Sequence, residues 1–309
     1  MINIADKHKF DIPILLIMFN RVEETLQVLD KILLINPIKL YIACDGARPS
    51  KPSESKVVEN LRFVVKKKLE GRQNVKYLFS SQNLGLRFAP VKAIDWFFKN
   101  EKQGIILEDD CVPGESFFRF TREMLIRYEK DPRISMISGE NRFYKLIDFK
   151  NKYSCSPIAY VWGWATWRQV WQQYEVDLSN HDFNIANRVF TSVKSRRFWK
   201  NVFKVEASGK LNTWDFQLSH LLMRTKTFCI LPPSNLVTNI GFNQNSTNTK
   251  KENSFSKSLR AEFYSPPYIG EIKVYPEVID ILENNYYLDF MTFKRFVSFI
   301  LRKIRSLLN

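Results

Sequence analysis

Three carboxylates stand side by side at Glu108-Asp109-Asp110, directly after the apolar run Gly104-Ile105-Ile106-Leu107. Adjacent carboxylates at the end of a buried strand repel one another, and burying that charge is costly unless a cation neutralises it. Oxygen ligands select hard divalent ions. A Mg²⁺-like site takes one or two carboxylates, with water and substrate phosphates completing the shell. Side chains alternate along a strand, so Glu108 and Asp110 are expected on one face and Asp109 on the other, with Asp110 at the tip best placed to reach a metal. The competing reading is a solvated acidic turn that caps the following helix. Soft-metal chemistry is excluded by spacing: the four cysteines (Cys44, Cys111, Cys155, Cys229) form no C-x-x-C, and the three histidines (His8, His181, His220) form no H-E-x-x-H. Any metal must therefore rest on carboxylates, which favours Mn²⁺ or Mg²⁺. The ten glycines contain no G-x-G pair, so the dinucleotide fingerprint and the loop G-x-x-x-x-G-K are both absent.

The elements that must position the acidic triplet follow a regular alternation. Ile12 to Phe19 is a continuous apolar run, as expected of a strand buried on both faces. Asn20 then caps a helix with Val22, Leu26, Leu29 and Leu33 at helical spacing. Leu40 to Cys44 is a second strand, ending at Asp45-Gly46, and Ser53 caps a helix whose stripe is Val57, Val58, Leu61, Val64 and Val65. Val75 to Phe79 reads as strand, Pro90 to Phe98 as helix, Gly104 to Leu107 as strand, Glu115 to Tyr128 as helix and Ile134 to Ile137 as strand. Strands alternating with helices predict an α/β fold with a mainly parallel sheet, whose ligands bind outside the carboxyl ends of the strands. Arg21, Asp45 and the acidic triplet all fall at such ends.

The order of these motifs resembles that of the GT-A glycosyltransferases, which transfer sugar from a nucleotide-sugar. The likeness is to the inverting N-acetylglucosaminyltransferase I type and to bacterial nucleotide-diphospho-sugar transferases, and it spans roughly residues 12 to 242. Pro13-Ile14-Leu15-Leu16-Ile17 with Asn20-Arg21 resembles the family's first strand and its nucleotide-contacting arginine, and Ala43-Cys44-Asp45-Gly46 the second strand, whose aspartate bonds the base. Glu108-Asp109-Asp110 resembles the acidic metal motif. Asn83-Leu84-Gly85-Leu86-Arg87 resembles the bacterial branch, in which a basic side chain meets the phosphates. Val161-Trp162-Gly163-Trp164 resembles a Gly-Trp loop beside the donor sugar, and Thr213-Trp214-Asp215-Phe216 a segment whose aspartate is the catalytic base. Asn239-Ile240-Gly241-Phe242 resembles a further family segment. The resemblance thus implies a GT-A-like, Rossmann-type sheet flanked by helices, with Glu108 and Asp110 on the metal and Arg21, Asp45, Arg87, Asp109 and Trp164 on the donor. Asp215 is the implied base, deprotonating an acceptor hydroxyl so that displacement inverts the anomeric centre.

Each of these residues also has a plainer reading. Arg21 could pair with Glu24, Asp45 could form an Asx turn with Gly46, Trp164 could be core, and Asp215 could sit in a helix's first turn, where the macrodipole favours it. The chain departs from the family pattern at two places: Arg48-Pro49 soon after Gly46, and Phe216 where relatives carry a second acid. Donor sugar and acceptor therefore stay open, with a UDP-sugar and a bacterial surface glycan or lipid-linked acceptor as the expectation.

The chain has 309 residues, 45% hydrophobic and 26% charged, which excludes a disordered or collagen-like polymer. It divides on this reading into a nucleotide-sugar-binding half (1–140), an irregular acceptor half rich in tryptophan over 158–174 (141–285), and a tail (286–309). The formal charge of +15 invites anionic partners, but no zinc finger or aromatic RNA-binding signature accompanies it, so nucleic acid is not expected. Over residues 290–309, Phe293, Phe296, Val297, Ile300, Leu301 and Ile304 recur at helical spacing against Lys294, Arg295, Arg302, Lys303 and Arg305. That is a basic amphipathic helix, which either lies on an anionic membrane or docks on the domain. The polar stretch 243–258 reads as a loop that closes over bound donor. Sparse cysteines and the lack of a long apolar run point to the cytoplasm, and the tail to the inner face of the plasma membrane. Two rivals make distinct demands. A membrane-surface adaptor with a degenerate sheet would bind no nucleotide. A nucleotidyltransferase would need a glycine-rich phosphate loop near the N-terminus, where no glycine precedes Gly46.

Overall fold

The computed structural model describes residues 9–149, 152–241, 260–262, 269–270, 272 and 274–284. The polar stretch 243–258 and the basic tail 290–309 lie outside the described residues. Four parallel strands come first: β1 (Ile14–Met18), β2 (Leu40–Cys44), β3 (Val75–Phe79) and β4 (Gln103–Glu108). β1 pairs with β2 on one side and β4 on the other, and β3 lies beyond β2. The chain therefore reverses its direction of travel across the sheet between β1 and β4, the position where open α/β sheets form their ligand crevice.

β1 and β4 are apolar nearly throughout because both of their faces are covered. Side chains alternate between two cores. Ile14, Leu16, Ile42, Ile105 and Leu107 face one, and Leu15, Tyr41, Ala43 and Ile106 face the other. The first core is closed by α1 (Val22–Leu34), α2 (Pro52–Lys68) and α4 (Glu115–Arg127). The second is closed by α3 (Gly85–Asn100) and by helices of the second half.

The same sheet continues past residue 140. β5 (Cys111–Pro113) leaves it after the acidic triplet, and β6 (Ile134–Ser138), β7 (Lys152–Ser156) and β8 (Trp164–Trp167) join it. β8 runs antiparallel between β4 and β6. After α5 (Arg168–Trp171), α6 (Val193–Ala207) and α7 (Phe216–Thr225), β9 (Phe228–Leu231) pairs parallel to β6 and antiparallel to β7. β10 (Val237–Asn239) pairs with β5, and β11 (Ile269–Gly270) extends the sheet beside β7 before α8 (Pro276–Asn284). The expected α/β class holds, with a parallel first half and a mixed second half. Among the described residues no helix is long and apolar enough to cross a membrane.

Three helix starts differ from the sequence reading. Arg21, not Asn20, occupies the cap of α1, and the Asn20 amide donates instead to Glu54, 2.9 Å away. α2 begins at Pro52 rather than after Ser53, because proline suits the first helical position. α3 begins at Gly85, five residues before the expected Pro90, because its first N–H groups are satisfied by a carboxylate from β2's end.

Gly104 is where β4 passes closest to α3. A Cβ there would lie 2.2 Å from the Phe97 ring and 2.9 Å from the Pro13 carbonyl oxygen. Overpacking of this kind costs about 1–3 kcal/mol, so G104A is expected to lower the urea midpoint without changing the slope of the transition. An unchanged midpoint would refute this close packing.

Candidate functional site

The carboxyl ends of β1 and β4 meet at one guanidinium. Arg21 Nη1 donates to Asp109 Oδ1 at 3.0 Å and to Asp110 Oδ2. The second Asp109 oxygen accepts the Phe19 N–H at 3.0 Å. Asp109 and Asp110 therefore point to the same partner, and the expected opposition of their faces does not hold. β4 ends at Glu108, so the two-residue period stops there and residues 109 and 110 belong to the turn into β5. Arg21 pairs with these acids rather than with Glu24.

The turn is held from above by a segment without an assigned mechanism in the sequence. The Ile240 N–H donates to the Asp110 carbonyl at 2.8 Å, while Gly241 packs so tightly that a Cβ would come within 1.9 Å of Asp110 Oδ2. Asn239-Ile240-Gly241 thus fixes the acidic turn, and only glycine permits the approach.

Electrostatics inside the cluster follow from crowding. Burial, then the charges of Asp110, Asp109 and Asp215, push the Glu108 carboxyl well above its usual range, with Arg21 opposing. Burial and Asp110 raise Asp109 to about 7, and Arg21 and the Phe19 N–H offset part of this. Among the described residues no hydrogen bond is made to the half-buried Glu108 carboxylate. No group of three His, Cys, Asp or Glu side chains among the described residues makes a closed metal cage. The donor set still fits a hard divalent ion, because such ions need only one or two carboxylates and take the remaining ligands from water and phosphate. Glu108 and Asp110 are the candidates, and Arg21 is the cation that Asp110 now shares with Asp109.

Asp215 lies at the N-terminal cap of α7, and its carboxylate accepts from the Thr213 hydroxyl. Its charge is one of the causes that raise Glu108, Glu206 and Tyr174.

Three other expected donor-binding residues are placed differently. Asp45 caps α3: its oxygens accept from Leu84 N–H at 2.9 Å, Gly85 N–H at 2.9 Å and the Asn83 amide at 2.8 Å. In this structure the carboxylate serves as the cap of α3 rather than forming the local Asx turn with Gly46. Arg87 turns away from the triplet. Its terminal nitrogens donate to the carbonyls of Leu211 and Val176 at 3.1 and 2.8 Å and pair with Glu206 at 2.8 Å, which leaves them committed rather than facing a phosphate. Trp164 is 1% exposed and stacks on Trp214 at 5.8 Å, so it belongs to the core and not to a sugar platform.

Two neighbours were not foreseen. Glu206 gave no sequence signal, being one acid on the basic helix α6. Arg48 and Glu54 form a pair (Nε to Oε2, 2.9 Å) beside Phe19 and Asn20, and Arg48 holds the Glu54 carboxyl below its usual range against the effect of burial.

A raised acid favours its protonated form in the fold, so the metal-free protein loses stability as pH rises from the carboxylate range. E108Q is therefore expected to raise the thermal midpoint at pH 8 without metal and to leave it unchanged near pH 4. Mn²⁺ should stabilise wild type more than E108Q. Equal midpoints at pH 8 would show that Glu108 carries no such burden.

No protein-family model and no curated protein matches the chain in sequence. Solved structures do match. HddC from Yersinia pseudotuberculosis is 8% identical with a TM-score of 0.33, covering 53% of this chain and 80% of that one. A cytidylyltransferase from Leptospira borgpetersenii serovar Hardjo-bovis is 10% identical with a TM-score of 0.34, covering 67% and 75%. The 4-diphosphocytidyl-2C-methyl-D-erythritol synthase of Anaerococcus prevotii is 10% identical with a TM-score of 0.33, covering 63% and 96%. Likenesses of this size carry no statement of activity for this chain.

Proposed function

We propose that this chain is a metal-dependent, inverting glycosyltransferase that takes a nucleotide-diphospho-sugar, a UDP-sugar first among them. The observation that carries the reading is the convergence of Arg21, Glu108 and Asp110 at the β1/β4 crevice, with the charge of Asp215 reaching the same cluster from the other half.

Asp110 and Glu108 would hold the divalent ion, which supplies positive charge to the diphosphate and stabilises the departing nucleotide. Arg21 would be the second positive group at the diphosphate, held in place by Asp109. Asp109 keeps Arg21 and the Phe19 backbone in place. Asp215 accepts the proton of the acceptor hydroxyl as its oxygen attacks the anomeric carbon. The attack comes from the side opposite the leaving diphosphate, so the configuration inverts. The acceptor is a glycan or lipid-linked hydroxyl, and the basic amphipathic pattern of residues 290–309 supports an acceptor presented at an anionic membrane surface.

Calorimetric titration with UDP, GDP, CMP and dTDP, with and without Mn²⁺, is expected to show one metal-dependent nucleotide, lost in D110A. D215N should bind that nucleotide normally but lower kcat by about 10²–10⁴-fold. Product analysis separates the chemistries: glycosyl transfer releases nucleoside diphosphate, whereas release of pyrophosphate would identify nucleotidyl transfer. A folded protein that binds none of the four would overturn the reading in favour of an adaptor. Deletion of residues 290–309 is expected to abolish binding to anionic liposomes, and undiminished binding would remove the tail from the proposal.

A further inference from the structure

The segment that carries Asp215 is held along its length by groups distant in sequence. Arg87, in the first turn of α3, donates from Nη1 to the carbonyls of Leu211 at 3.1 Å and Glu206 at 3.3 Å, and forms an ion pair with the Glu206 carboxylate at 2.8 Å. Its backbone N–H donates to Asn212 Oδ1 at 3.2 Å. The Gln217 amide donates to the Glu206 carboxylate at 2.5 Å and to the Thr213 carbonyl at 3.4 Å. The Tyr174 hydroxyl donates to the Trp214 carbonyl at 2.8 Å. Residues 211–214 and 217 are thus each engaged, and Asp215 sits between them.

The Arg87 side chain is 12% exposed and that of Glu206 0%. Taking both charges out of water is expensive, and a pair of apolar side chains of similar volume often serves stability as well. What an apolar pair cannot do is fix the carbonyls of residues 206 and 211 by directed hydrogen bonds. The other end of the clamp is equally fixed, since the N-terminus of α3 is tied by Asp45 to the end of β2.

We propose that Arg87 and Glu206 are positioning residues for Asp215, fixing its segment against the N-terminus of α3 so that the carboxylate stands at a set distance from the acidic turn. The inference rests on the reading of Asp215 as the general base. The Glu206 carboxyl is itself pushed up to about 7 by burial and by Asp215, with Arg87 opposing. Arg87 therefore does more than hold carbonyls: it keeps a second negative charge tolerable behind the base.

The test compares R87K, R87M and the paired replacement R87M/E206M with D215N. R87M alone strands a buried carboxylate, whereas R87M/E206M removes both charges and is expected to fold as stably as wild type. Misplacement of a reacting group by about 1 Å costs about 100-fold in rate. R87M/E206M should therefore lose about 10- to 100-fold in kcat with an unchanged donor KM, and R87K should recover part of the loss. Amide hydrogen exchange over residues 211–217 should quicken in the paired variant while β1, β2 and β4 stay protected. Unchanged exchange over 211–217 overturns the clamp. Wild-type kcat in R87M/E206M, with D215N inactive, overturns the proposal and leaves the base reading standing. Wild-type kcat in D215N removes the base reading and the proposal together.

Discussion

The constraint on which the site depends is that three consecutive carboxylates, the last residue of β4 and the two of the turn after it, crowd beside one guanidinium. A strand buried on both faces cannot end in that much negative charge without a counter-ion. Arg21 supplies it from the next strand, because β1 and β4 are paired in parallel register and both chains leave the sheet at the same edge. The apolar run of β1, the Phe19 N–H on Asp109 and the close approach of Gly241 to Asp110 all serve to hold this one contact. The site is thus a place where the fold keeps charges together that solvent would separate.

The second half of the chain reaches the same edge by a different route. β8 runs antiparallel between β4 and β6, which attaches the second half to the sheet formed by β1–β4. The helices then need a fixed relation to that sheet if Asp215 is to act on anything bound at the acidic turn. Asp45 and Arg87 provide the connection from β2 through α3 to α6 and the start of α7. Both residues lie near the crevice, yet their hydrogen bonds run along the protein rather than toward a ligand.

The alternation of β1–α1–β2–α2–β3–α3–β4 was legible because each element buries a face and so writes its own period into the sequence. The start of α3 was not, since its cap comes from a strand end 40 residues earlier. The second half was harder to read because β8 and β9 are only four residues long and β8 begins and ends in tryptophans that serve the core. At the sheet edge, strand-end position sufficed to bring Arg21 together with the acidic triplet. Residue type did not suffice for Arg87, whose role is set by Glu206, 119 positions away, nor for Trp164, since an indole suited to stacking on a sugar is equally suited to stacking on Trp214.

Formal charge links the two ligands that this edge would take. With all three acids ionised, Glu108, Asp109 and Asp110 carry three negative charges and Arg21 one positive charge, a deficit that a single divalent cation removes. A diphosphate alone would meet net negative charge and be repelled. A cation alone would compete with Arg21 for Asp110. Together they would satisfy both, because an ion on Asp110 would leave Arg21, still held by Asp109, a donor for the phosphates. The raised proton affinity of Glu108 and Asp109 belongs to the same arithmetic: protons are the counter-charge that the cluster takes up when no metal is there to provide it. On the proposed reading, an edge arranged in this way would favour a nucleotide that arrives with its metal over either component by itself.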